Sequence, residues 1–207
     1  MNSNFENNKT LAGVGSILLL LSFLPYAGWA LGIVGIVLLI KSIKEFANYY
    51  GDQSIYQNTW TGIKYYIVAI IAVAIAVTVF LIGLFSAATF PFTSIFALTA
   101  GLGVGIIAPI AGLVIAFVFY VLAATYLKKT LEVLAEKTGD ATLATAGTLL
   151  LIGAILTIIG VGLLVIFVSW IFATIGFFSM KNRQFQQYNQ TQPYNYTPPT
   201  QPAQTPP

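Results

Sequence analysis

Two carboxylates one helical turn apart, Glu132 and Glu136, have the spacing for acid–base work, in which one group gives a proton and the other takes one. They sit in LKKTLEVLAEKTGDAT, where Lys128 stands four residues before Glu132, and the same spacing pairs solvated charges along an exposed helix face. Hydroxyls are the other candidates, among them Ser16, Ser22, Thr78, Ser86, Tyr120, Thr145, Thr148, Thr157, Ser169 and Thr174. A serine or threonine nucleophile needs a base beside it, and the chain has no histidine and no lysine within its apolar runs. With no cysteine either, thiol chemistry and the commonest metal ligands are absent from the composition. GLGVG at 101–105 lacks the strand before it and the Lys-Ser/Thr after it that a phosphate loop requires. The residues predict no catalytic site, no cofactor and no metal, and a protein that is not an enzyme.

The elements that carry these groups are apolar to an extent that excludes a soluble domain. Charged residues are 7% of the chain and hydrophobic ones 57%, and residues 11–40, 65–127 and 143–179 contain no charged side chain and no Asn or Gln. A helix of ~20 apolar residues covers a ~30 Å hydrocarbon core. The lack of alternating patterning predicts α-helices rather than a barrel. Lys9, the apolar run after it and GWA at 28–30 outline a secretory signal, but Glu6 ahead of the run and a second apolar run behind it argue against cleavage.

Residues 143–179 would extend roughly 55 Å as one helix, too far for a single crossing at any common tilt. They are expected to fold back at Gly160 and Gly162, where glycine permits turn dihedrals. TLAGVGSILLLLSFLPYAG from Thr10 aligns without a gap on TLATAGTLLLIGAILTIIG from Thr142, pairing Gly15 with Gly147 and Gly28 with Gly160. A turn is therefore expected at Pro25 as well, since proline removes a backbone donor and pushes Leu24 out of the helical region. The alternative is one kinked helix over 11–40. With both end segments folded as hairpins, all nine Lys and Arg fall on one side, against six and three (Lys9, Lys181 and Arg183) for single spans. The positive-inside bias then selects six transmembrane helices with both termini cytoplasmic. The expected spans are about 9–24, 28–48, 63–87, 101–127, 141–159 and 162–180, the end hairpins forming a parallel internal repeat. Residues 1–8 form a short N-terminal tail, 9–181 the transmembrane domain, and 182–207 a Gln/Asn/Pro-rich tail predicted to be disordered.

The loop ANYYGDQSIYQNTWTGIKYY reads as an interfacial aromatic belt. Its docking alternative places Asp52, Gln53, Tyr56 and Asn58 at a partner. Gly28/Gly32, Gly101/Gly105 and the ladder Ala108, Gly112, Ala116 have the small-xxx-small spacing of close helix contacts. The expected partners are the lipid bilayer of the plasma membrane, other membrane proteins and a cytoplasmic ligand of the Pro-rich tail. Isolated lysines make no nucleic-acid patch.

LAGVGSILLLLSFLPYAGWALGIVGIVLLIKSIKEF, followed by AEKTGDATLATAG and LLIGAILTIIGVGLLVIF, resembles the archaeal integral-membrane family known as domain of unknown function 996. The resemblance covers roughly residues 8 to 180. It implies an archaeal-type plasma-membrane protein and carries no activity. The favoured functional expectation is a non-enzymatic scaffold or accessory subunit that uses its cytoplasmic loops and tail; the alternative is a passive channel or carrier for a neutral or apolar solute. A closed, small-residue-packed bundle would favour the first, and a cavity between the spans the second.

Overall fold

The computed structural model describes residues 2–89 and 103–181. The sequence-predicted tail from 182, the connection around Pro91 and Gly101 lie outside the described residues. Six helices follow one another: α1 Asn2–Leu21, α2 Gly28–Tyr50, α3 Gln53–Thr89, α4 Ala108–Thr138, α5 Ala141–Leu156 and α6 Gly162–Ser179. A π-helical turn, Gly103–Ile107, precedes α4, and a 3-10 turn, Thr157–Ile159, closes α5.

The expectation of six transmembrane helices is overturned. Among the described residues four helical stretches are long and apolar enough to cross a membrane, Gln53–Phe85, Gly105–Thr138, Ala141–Ile159 and Gly162–Ser179. The first two turns of α1 hold Glu6, Asn7, Asn8 and Lys9, so its apolar part ends at Leu21 after only about 18 Å. Helix α2 carries Lys41, Lys44 and Glu45 in what would be its inner half. The chain does turn around Pro25. Residues 22–27 link α1 to α2, with Tyr26 in the left-handed region at φ 69° and the Ala27 N–H donating to the Pro25 carbonyl at 2.9 Å.

The parallel repeat is not reproduced in the packing either. A Cβ on Gly15 would lie 3.0 Å from the Gly35 carbonyl within its own hairpin, whereas one on Gly147 would lie 3.1 Å from the Cα of Lys128 on α4. Gly28 begins α2 beneath the Ser22 carbonyl, while its counterpart Gly160 is a left-handed turn residue at φ 82°.

The packing role expected of Gly32 is corrected as well. Gly32 is only half-buried, and a Cβ there would meet nothing but the Ser22 side chain, 3.2 Å from its Cβ. The four-residue spacing of Gly28 and Gly32 sets both against Ser22 in the linking turn, not against a facing helix. The close approach of α1 and α2 falls to Gly35 instead, where a Cβ would lie 2.8 Å from the Gly15 carbonyl oxygen. Gly162 does stand at a tight turn: it opens α6 against the Gly153 carbonyl and the Thr157 nitrogen, with no room for a side chain.

The long aromatic loop contracts to two residues. Gly51 adopts φ 66° at the end of α2, its N–H bonding to the Asn48 carbonyl and that of Asp52 to the Ala47 carbonyl. This helix-ending pattern satisfies two carbonyls that the helix leaves open. Asp52 then starts α3 by accepting from the Ser54 N–H at 3.1 Å. Gly139 (φ 73°) and Asp140 do the same between α4 and α5, Asp140 accepting from the Thr142 N–H at 2.9 Å.

The buried core lies toward this end of the bundle, where Phe5, Ile43, Phe46, Ile55, Leu134, Leu143 and Phe177 meet. At the other end the helices are unequal in reach. Gly147 sits against Lys128, so the 16 residues of α5 run back only to about the level of Phe119. Helices α3 and α4 continue past the hairpin tips by roughly 16 Å. They touch each other there through small residues, Gly83 on Gly105 and Ala76 on Gly112. Their outer faces, with Leu81, Ile82, Ile107 and Ile110, are exposed as bilayer-facing surfaces are.

Candidate functional site

Two places bring functional side chains together. The first is the corner between α2 and α3, which holds the sequence-predicted docking residues. Asp52 accepts from the Ser54 hydroxyl at 2.6 Å and pairs with Lys137 at 3.1 Å, tying the start of α3 to the last turn of α4. Gln53 donates to Asn48 at 3.3 Å. Tyr56 packs against the core and stacks on Trp60, with centroids 6.4 Å apart, and Asn58 is half-buried. Lys64 lies over the Trp60 ring and Lys129 over Tyr126. Tyr50 beside them has a buried phenol oxygen with no hydrogen-bond partner among the described residues, and its burial, then its neighbour Tyr49, push its pKa up. Glu132 pairs with Lys128 at 3.2 Å, and Glu136 is exposed. No group of three or more His, Cys, Asp or Glu among the described residues could hold a metal ion.

The Asp52 carboxyl is held below the usual carboxylate range by the hydrogen bond from Ser54, then by Lys137. Asp140 is also held low: burial opposes ionisation there, but bonds from Ser179 and Thr142 outweigh it. A carboxyl whose folded pKa is depressed contributes stability that is complete above its unfolded value, about 3.9. That stability is lost as pH falls through the lower folded value. The melting temperature of the detergent-purified protein should therefore fall as the pH is lowered below about 4. Asp52→Asn, whose side chain can still cap α3, should remove part of that drop at a cost of about 0–4 °C at neutral pH, the worth of one exposed ion pair. An unaltered acid profile in this variant would show that the corner does not depend on the charge.

The second place is a cavity of about 550 Å³ to which all six helices contribute. Its closed end is made by buried Leu39, Thr59, Ala123, Ala124, Leu150 and Ile166. Its lining residues that are at least half exposed are Ile33 and Val37 on α2, Ile67 and Ile70 on α3, and Leu163 on α6. Helices α2 and α3 are joined by Gly51 and Asp52 alone, and beyond Ile40 and Thr59 the cavity separates them. No charged residue lines it. Its hydroxyls are those of Ser22, Thr59, Tyr66 and Tyr120, and Trp170 forms part of the wall on α6.

The cavity is open along one side rather than sealed, so the medium at its mouth can reach its walls. Water gains little between aliphatic walls, since apolar cavities stay dry. An apolar occupant fits both the walls and a mouth that opens among lipid-facing side chains, and the volume is within the ~300–1,000 Å³ of small-molecule pockets.

The family model described as protein of unknown function (DUF996) matches residues 31–171. The chain belongs to this family. DUF996 is an uncharacterised integral-membrane family, and the matched segment runs from the second turn of α2 to the middle of α6. It includes the cavity walls from Ile33 to Trp170 and leaves out those nearer the N-terminus, Leu19, Ser22 and Phe23. No curated protein and no solved structure matches the chain. The DUF996 chain is thus a multi-pass helical membrane protein.

The sequence carries no signal for the cavity. Tyr66 reads as part of an interfacial belt and Tyr120 as one hydroxyl among many. The buried hydroxyl pair Thr59–Thr130, 3.0 Å apart at the closed end, joins residues 71 positions apart.

Proposed function

We propose that this DUF996 protein works without catalysis, holding a neutral, membrane-soluble molecule between its helices as a passive carrier or binding protein. The cavity of about 550 Å³ carries this reading. It is walled by apolar side chains, bears no charge and opens where the surrounding medium is hydrocarbon. A charged solute would enter at a large desolvation cost. The scaffold alternative relies on loop residues and on the tail. Asp52, Gln53 and Tyr56 are engaged within the chain, and the tail lies outside the described residues. The cavity therefore supports the carrier reading more strongly than the corner supports docking.

Trp170 gives the test, because it lines the cavity while Trp29 and Trp60 are exposed. In a Trp29→Phe/Trp60→Phe background a long-chain 1-bromoalkane should quench Trp170 emission saturably. Ala124→Phe, which projects a ring into the cavity from a buried wall position, should abolish the saturable component without lowering the melting temperature. Leu127→Trp would fill the same space, but a second indole would obscure the reporter, so Leu127→Phe is the second filling variant. Non-saturable quenching that both filled variants retain would refute the reading.

A further inference from the structure

Four hydroxyls line the cavity, and they divide into two kinds. Ser22 donates to the Leu19 carbonyl at 2.6 Å, and Thr59 bonds to the Ile55 carbonyl and to Thr130, each at 3.0 Å. Tyr66 and Tyr120 differ. Their rings lie together, centroids 6.3 Å apart, and neither phenol oxygen makes a hydrogen bond among the described residues. Both belong to crossing helices, Tyr66 about one half-turn past Lys64 on α3 and Tyr120 about two turns inside Lys128 on α4. Neither oxygen is sealed within the protein as the Tyr50 phenol is, so both can be reached from the cavity, where hydrocarbon offers a polar group no partner. Two adjacent phenols without any, on the wall of an otherwise aliphatic cavity, mark a position where the partner comes with the occupant.

We propose that the occupant is an amphiphile with one uncharged hydrogen-bonding group, an alcohol or a carbonyl, held by Tyr66 and Tyr120 while its hydrocarbon chain fills the apolar walls. This deepens the reading of the cavity as a binding site and rests on it. The charge of the group is fixed by the walls: with no Lys, Arg, Asp or Glu lining the cavity, an ionised head has no counter-charge there. Its place is fixed by the phenols. The Trp170 indole, on the α6 wall, likewise makes no side-chain hydrogen bond among the described residues, and as a donor it favours an acceptor on the ligand. A plain alkane would fill the volume but leave both phenols unpartnered.

The experiment compares two probes of equal chain length, an ω-bromoalkanol and the matching 1-bromoalkane, on the sole-Trp170 protein. The alcohol should half-saturate the quenching at about tenfold lower concentration, the worth of one to two net hydrogen bonds. Tyr66→Phe and Tyr120→Phe should each narrow that gap, and the double variant should close it while leaving the alkane curve and the melting temperature in place. A bromoalkanoic acid, ionised at neutral pH, should bind more weakly than the alcohol. Equal curves for alcohol and alkane in the parent, or a gap that survives the double variant, would overturn the role of the phenols and leave the cavity reading standing. Saturable quenching by neither probe would remove the cavity reading itself.

Discussion

Gly15→Leu and Gly147→Leu should each lower the melting temperature of the detergent-purified protein by about 2–12 °C, the effect of 1–3 kcal/mol of overpacking in a chain of this size. Both glycines face backbone. A Cβ on Gly15 would stand 3.0 Å from the Gly35 carbonyl oxygen and 3.1 Å from the Leu39 nitrogen. On Gly147 it would stand 3.1 Å from the Lys128 Cα and 3.2 Å from the Lys128 carbonyl oxygen. Backbone in a packed helix cannot rotate aside as the end of a side chain can, so leucine must part the helices. In a membrane, close backbone approach is itself a main source of helix association. Gly51 provides the control, because nothing lies within 4 Å of its Cβ position. Its alanine variant carries only the left-handed backbone penalty of about 1–2 kcal/mol, or roughly 2–8 °C. If the two leucine variants melt with the parent, α1–α2 and α4–α5 are not held by these contacts.

The features legible in the sequence are local ones. The turn at Pro25 can be read because one proline alters its own backbone and that of Leu24. The break near Gly160 follows from length, since 37 apolar residues (143–179) cannot make one crossing. The number of crossings is a different kind of quantity, and charge cannot supply it. A hairpin that leaves and returns on the same side keeps every lysine on that side whether or not it crosses. Lys9, Lys41 and Lys44 flank the α1–α2 hairpin, so the nine-to-none distribution is the same for six crossings and for four. It excludes single kinked spans without testing the hairpin. The polar opening turns of α1 and the charges within α2 are the discriminating residues, and they decide through length and composition. Spacing alone misleads in the same way at Gly32, where a small-xxx-small pair faces a turn and Gly35, outside that pair, makes the helix contact.

The cavity is illegible for a related reason. Its walls come from six helices and contain the same Leu, Ile, Val and Ala that fill every other apolar face here. An empty space leaves no periodicity in sequence. The docking residues Asp52 and Gln53 stand out as polar groups between apolar runs, but a helix start requires such groups. The structure uses Asp52 to cap α3 and to hold Lys137. Polarity between spans thus points first to a cap and only then to a partner.

Where α3 and α4 outreach the hairpins they pack, among the described residues, against each other, and the two glycines in contact there are not equivalent. A Cβ on Gly83 would lie 2.6 Å from the Cα of Gly105, closer than real side chains come, whereas a Cβ on Gly105 would lie 3.5 Å from the Cα of Gly83, an ordinary contact. Gly83→Ala should therefore lower the melting temperature by about 2–12 °C, the range for overpacking against a contact that cannot give way. Gly105→Ala should change it by less than about 2 °C, within the range of unobtrusive substitutions. Gly83→Leu should splay the pair, because the Cα of Gly105 leaves a bulky side chain no room. The cavity should be indifferent to the change, since the α3 lining residue nearest Gly83, Ile70, is 13 residues and about 20 Å along the helix from it. Trp170 quenching by the bromoalkane should consequently survive in the Gly83 variants at temperatures below their melting. Equal sensitivity at Gly83 and Gly105 would mean that the two helices approach symmetrically. Loss of quenching in Gly83→Ala would mean that the far ends of α3 and α4 set the width of the cavity.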